Sequence, residues 1–159
     1  MSKLCYDQNV PPSGPETPIV RVKTSGEHHF RILSRSYYGL WIHWNGQRSE
    51  GCFEDRQECS GCKRGLPRRW KGYLHCLAAE RNGADCFLEL TPVAITSLLA
   101  QCPKGESLRG LRLNVRRTSG GEKGRLRVLV LGDINPGKGL IEEKDPYNTL
   151  RKLWGLPAA

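Results

Sequence analysis

Four residues in the first half of the chain have the types and spacing to hold a metal ion. His43, Cys52, Cys59 and Cys62 read H-x8-C-x6-C-x2-C. Three thiolates and an imidazole suit a tetrahedral zinc ion, and four protein donors make a closed, structural site. In the C-x2-C pair a short turn aims both sulfurs at one point, and Gly61 is expected to permit the tight bend. Cys52 and His43 would close the site from the preceding segment. His43 is the fourth ligand nearest in sequence; His75, Cys76, His28 and His29 are the alternatives. A catalytic zinc would keep an open position beside an acid or base. The acids inside the loop, Glu50, Glu54, Asp55 and Glu58, read as solvated turn residues. Neither H-E-x-x-H nor a deaminase-type H-x-E with P-C-x-x-C occurs. There is no P-loop, G-x-S-x-G or paired-carboxylate motif either, so the chain is expected not to be an enzyme.

These ligands need elements to carry them. Tyr37 to Trp44, YYGLWIHW, is the strongest strand pattern, and it ends at the proposed histidine. Residues 45–69 have no periodicity and hold the cysteines. Trp70 to Glu80 and Cys86 to Leu90 resume an extended pattern across the turn at Asn82-Gly83. Thr91 then caps a helix that opens with Pro92 and continues VAITSLLA. Leu111 to Thr118 and Arg125 to Leu131 alternate as a hairpin, and Asp145-Pro146 starts a short terminal helix. Ile19 to Lys23 and Phe30 to Leu33 are shorter strand candidates. Residues 1–18, with Pro11, Pro12, Pro15 and Pro18, read as a flexible arm.

The charge is basic and clustered. Net charge is +9 over 159 residues, which favours polyanionic partners. One cluster, Lys63, Arg64, Arg68, Arg69 and Lys71, follows the last cysteine. In the other, residues 109–127, only Glu122 opposes seven Lys/Arg. Alternation puts Tyr37, Trp41 and His43 on one strand face and Tyr38, Leu40, Ile42 and Trp44 on the other. The second face is expected to be core, with Trp44 and Trp70 in it. Tyr37 and Trp41 would then face a groove, joined by Lys71 and Tyr73 from the next strand. Exposed rings stack bases, and arginines on a sheet face neutralise phosphates. The expected nucleic-acid contacts are Arg35, Tyr37, Trp41, Arg68, Arg69, Lys71, Tyr73, Arg112, Arg116, Arg117, Lys123, Arg125 and Arg127.

Seven cysteines without an N-terminal apolar signal fit a reducing compartment, so a cytoplasmic or nucleoid-associated location is expected. No stretch reaches the roughly 20 apolar residues of a membrane span. The order of strands, knuckle, strands, helix and hairpin predicts a mainly β fold. The specific expectation is an OB-like five-stranded barrel with the helix between its third and fourth strands. Its bounds would be 19–131, with a zinc knuckle inserted at 43–69, followed by a linker and C-terminal helix at 132–159.

FRILSRSYYGLWIHW running into His43, Cys52, Cys59 and Cys62, with a basic remainder, resembles phage-type helix-destabilising single-stranded DNA-binding proteins. The resemblance covers about residues 19–131 as a pattern, and its specific part is the ligand order. It implies an OB fold, one structural zinc held by those four residues, and binding of unpaired DNA without strong sequence preference. The tail KLWGLPAA lacks the acidic segment of such replication proteins, and no basic N-terminal arm is present. An accessory factor of a phage or mobile element is therefore the expectation, with single-stranded DNA favoured over RNA. The competing expectation is a protein-interaction module, an adaptor or an inhibitor of a nucleic-acid enzyme. It would use the basic face and residues 145–159, where Leu150, Leu153, Trp154 and Leu156 could dock a protein partner.

Overall fold

The computed structural model describes residues 17–23, 26–53, 55–118, 125–132 and 140–153. Residues 1–16 of the N-terminal arm, Lys123 and Trp154 to Leu156 lie outside them. The fold is mainly β, with strands β1 (Ile19–Val20), β2 (His28–Ile32), β3 (Tyr38–Trp44) and β4 (Ser49–Gly51) preceding a one-turn helix α1 (Ser60–Lys63). Then come β5 (Arg68–Ala78), β6 (Asp85–Leu90), α2 (Pro92–Ala100), β7 (Arg112–Arg117), β8 (Leu126–Val130) and α3 (Pro146–Leu153). No helix among the described residues is long and apolar enough to cross a membrane.

β5 organises the sheet. Its Val-poor sequence, RRWKGYLHCLA, still reads as a buried strand because five consecutive residues, Gly72 to Cys76, are buried. Consecutive burial means that both sheet faces are covered there. One edge of β5 pairs with β6. The other pairs with β3 from Arg68 to Tyr73 and with β2 from Cys76 to Ala78. β2 and β3 thus form one bent strand, and its bend at 33–37 lies against Leu74 and His75. The Leu33 and Ser34 amides both donate to the His75 carbonyl, at 2.7 and 3.2 Å, which is a bulge. The Ser34 hydroxyl accepts the His75 amide at 3.2 Å and keeps this buried kink satisfied.

The sheet order is β1-β6-β5-β2-β7-β8, with β3 branching from β5 and β4 pairing with β3. Only β1 runs parallel to its neighbour among these pairs, so the sheet is mixed. The sequence places the helix correctly, between β6 and β7. The closed five-stranded barrel is not formed: β6 and β8 do not pair. The end of α2 meets the β8 edge instead. The Gln101 side-chain amide donates to the Val128 carbonyl at 2.8 Å and accepts the Val130 amide at 3.0 Å, as a strand would. α2 itself is capped by the Thr91 hydroxyl, which accepts the Ala94 amide at 3.2 Å. It buries Ala94, Ile95 and Leu98.

Two apolar clusters flank β5. The larger lies on the inner face, between β2, β5, β6, β7, β8 and α2, and includes Ile32, Leu74, Leu88, Leu98 and Leu113. The smaller lies on the outer face, where α3 brings Tyr147 and Leu150 onto Leu40, Tyr73 and Phe87. Burying Leu150 completely stabilises this docking by roughly 1.5–3 kcal/mol. Polar ties lead the chain there. The Arg109 guanidinium donates to the carbonyls of Leu33 and Ile141, both at 2.7 Å. Asp85 accepts from His75 Nε2 at 2.8 Å and from Lys144 Nζ at 2.9 Å. The Lys144 amide donates to His75 Nδ1 at 3.3 Å, and its ammonium also reaches Thr17. Residues 140–144 of the expected linker, and the helix, are therefore packed onto the sheet.

Candidate metal centre and basic surfaces

β3 carries His43 to the knuckle, and β4 turns back along it. The ladder continues one step past β4, where the Cys52 amide donates to the Trp41 carbonyl at 2.8 Å. Cys59 stands at the N-terminus of α1 and Cys62 one turn later, so both sulfurs share one side of the helix. The four ligand atoms all lie within 4.8 Å of one another and could hold one metal ion. Their separations test the fit. A tetrahedral ion bound at about 2.3 Å to sulfur and 2.0–2.1 Å to nitrogen sets edges of about 3.8 Å between sulfurs and 3.6 Å from sulfur to nitrogen. Cys52 and Cys62 sulfurs are 3.6 Å apart, and Cys59 and Cys52 sulfurs 3.9 Å. Nε2 of His43 is 3.4 Å from Cys59 and 3.5 Å from Cys62.

The histidine is oriented for this role. Its Nδ1 lies 3.1 Å from both the Leu66 and Pro67 carbonyls. Carbonyls only accept, so Nδ1 carries the proton and the Nε2 lone pair faces the sulfurs. Gly61 serves a different purpose from the one its sequence position implies. It lies within α1, outside the left-handed region, and the His43 ring packs directly on its Cα. Two of the thiols, Cys52 and Cys59, are perturbed in opposite directions. Burial, then hydrogen bonds from Cys62 and Cys59, push the Cys52 thiol up to about 11. Burial also opposes ionisation of Cys59, but the Cys62 and Phe53 backbone amides outweigh it and bring that thiol down to about 6.

The alternative fourth ligands are engaged elsewhere. His75 serves Asp85, and Cys76 faces Cys86 inside the core. His28 meets Glu80 at 2.6 Å, and His29 lies 3.6 Å from Glu27. Glu50 accepts from Asn45 at 2.7 Å and Arg64 at 2.9 Å, so it belongs to the turn.

The expected stacking groove is rearranged. Leu40 and Ile42 are buried, as alternation predicts, and Trp41 is 44% exposed with the Arg68 guanidinium 4.4 Å over its ring. Trp44 is 51% exposed rather than in the core, because β3 ends there. Trp70 is half-buried, edge-on to Tyr37 at 6.1 Å, over Gly39 and Gly72. Tyr37 is therefore partly packed into the core. Tyr73 is fully buried and donates to Glu89 at 2.9 Å, so its ring is not available to a base. The register explains the error: Lys71 pairs with Leu40 and Tyr73 with Tyr38, which places them on the face opposite Trp41. Arg69, partner of Ile42, shares that opposite face and is exposed.

A second basic surface lies elsewhere. Arg112, Arg116, Arg125 and Arg127 are exposed, with Arg116 directly opposite Arg127. None of the four has an ion pair among the described residues. Arg116, Arg125 and Arg127 line a cleft of about 480 Å³ that also holds Glu27. Arg117 differs: it is half-buried and donates to the Val22 carbonyl at 2.8 Å. Arg35 is exposed, with Glu143 3.9 Å away. Trp41 and Arg68 lie at one end of β5, while Arg112 lies beside its other end through β2. At about 3.3 Å per residue these ends are roughly 30 Å apart, so the expected single groove is two surfaces. Arg31 of β2, paired with Arg112, joins the second. That membership follows from the β2–β7 register and has no local sequence signal.

Comparison with family models, with curated proteins and with solved structures gives no match to this chain.

Proposed function

We propose that this chain is a non-enzymatic single-stranded nucleic-acid-binding domain of OB-like descent, braced by one structural zinc ion. The observation that carries the reading is the set of exposed arginines on β7 and β8 with no described acid pairing them. Arginines on one face of a sheet bind phosphates with release of counterions. Trp41, stacked under Arg68 beside the knuckle, offers a second contact for a base. Zinc is the metal that three thiolates and an imidazole in a closed tetrahedron suit best. Its work here is to tie Cys52 and α1 onto the end of β3, where few apolar residues could do so. The resemblance to phage-type helix-destabilising proteins agrees with this reading and favours DNA over RNA, in an accessory role for a phage or mobile element.

The test is fluorescence anisotropy with a labelled single strand and the matching duplex over a salt series. The single strand is expected to bind more tightly. Replacing Arg112, Arg116 and Arg127 with Gln should flatten the slope of log K against log salt by about 2, since each phosphate on a single strand contributes about 0.7. An unchanged slope refutes the assignment of the phosphate surface. No binding at low salt refutes the nucleic-acid reading and redirects the basic face to an acidic protein partner.

A further inference from the structure

The outer face of β2, β7 and β8 carries apolar groups among its arginines. Cross-strand partners share a face, so Leu77, Arg31 and Arg112 form one row across β5, β2 and β7. Leu131 extends the row, its amide donating to the Arg112 carbonyl at 2.9 Å. Leu129, beside Asn114, is 54% exposed and Leu131 42% exposed. Within this row lies a cleft of about 310 Å³, lined by Leu77, Ala79 and Leu131 and bordered by Arg31 and Arg112. Its volume is at the lower end of the range for small-ligand clefts, about 300–1,000 Å³, which suits a single ring system.

An apolar slot with a cationic border is complementary to a flat apolar group tethered to an anion. A nucleobase on its phosphate has that constitution, whereas an apolar peptide would leave Arg112 facing no charge. We propose that this cleft seats one unpaired nucleobase, with Arg112 on the adjoining phosphate and Arg116 and Arg127 on the strand beyond. The inference rests on the nucleic-acid reading above and adds the means of selection. A base within a duplex is paired and stacked, so it reaches the slot only at the cost of unstacking. A single strand offers its bases without that cost.

The experiment compares an oligothymidylate with an abasic strand of the same length, by anisotropy at one fixed salt concentration. It uses the full chain and its Leu131→Ser and Ala79→Trp variants. Leu131 and Ala79 are exposed, so both variants leave the core intact; thermal unfolding verifies this. Ala79 also lines the cleft, and an indole there would fill it. The parent is expected to prefer oligothymidylate about 5-fold or more, the least a lost base contact is worth. Both variants should lose that preference and keep their affinity for the abasic strand. A preference equal in parent and variants overturns the slot while leaving phosphate binding in place. Failure of either strand to bind any of the proteins overturns the nucleic-acid reading, and the slot with it.

Discussion

Gly61→Ala separates the metal centre from ordinary helix energetics, because the two predict opposite signs. Gly61 lies in α1 with a backbone that alanine can adopt. Helix propensity alone therefore predicts a gain of about 0.8–1.0 kcal/mol. A Cβ at this position would lie 2.5 Å from Cγ and 3.0 Å from Cβ of His43. Carbon atoms rest at about 3.5–4.0 Å, so the ring or the helix must give by about 1 Å. The ring has no such freedom: Nδ1 is held by two carbonyls at 3.1 Å, and Nε2 must stay on the metal within about ±0.2 Å. Moving α1 instead displaces Cys59 and Cys62. Loss of support around a ligand costs about 10–100-fold in metal affinity, or about 1.4–2.8 kcal/mol, which exceeds the propensity gain. The assays are zinc competition against a chromophoric chelator and thermal unfolding with saturating zinc or excess EDTA. The variant should bind zinc at least tenfold more weakly and melt lower in zinc. In EDTA, where the ring can move, its melting temperature should equal or exceed the parent's. Unchanged zinc affinity, or a higher melting temperature in zinc, would refute the packing of His43 on Gly61.

Tyr73→Phe should cost about 1 kcal/mol of stability, since it removes the hydroxyl from Glu89 while Arg21 remains at 2.9 Å. Single-strand affinity should stay within about twofold; a large loss at unchanged stability would return Tyr73 to the binding surface. Burial opposes the charge of Asp85, but hydrogen bonds from His75 and Lys144 outweigh it and hold the carboxyl below its ordinary value of 3.8. A carboxyl depressed on folding adds stability that is present above its unfolded value and is lost as pH falls through the folded one. Asp85→Asn should therefore cost more at about pH 6 than below about pH 3, measured by urea unfolding, and an equal cost at both would refute the ion-pair account.

The sequence displays what is local. The aromatic run before His43, the Thr91-Pro92 helix start and the alternating hairpin each report their own element, and all are found within a few residues of their expected bounds. The ligand set was legible for the same reason, because thiols in a polar loop have no place in a core. Register is non-local and was not legible. Nothing within YYGLWIHW states that Trp41 will lie opposite Trp70 and Lys71 opposite Leu40, yet this pairing removes Lys71 and Tyr73 from Trp41's face. Gly61 illustrates a related limit: its backbone is ordinary, and its need to be glycine comes from a ring delivered by another strand.

The largest departure from the expected architecture explains where binding is proposed. On an OB-like sheet the outer face of β5 and β6 is the ligand platform. Here Leu40, Tyr73 and Phe87 on that face are covered by Leu150 and Tyr147, and the segment leading to them is tied down through Arg109, His75 and Asp85. A protein-partner role for α3 would have to pull the fully buried Leu150 off its own sheet. With that platform covered, an uncovered basic sheet surface remains where β2 carries the sheet over to β7 and β8. There Arg31, Arg112, Arg116 and Arg127 share a face with Leu129 and Leu131. A strand lying on this face would meet phosphate and base contacts side by side, so in the proposed binding mode the bend in β2–β3 that brings β2 against β7 would be part of the geometry.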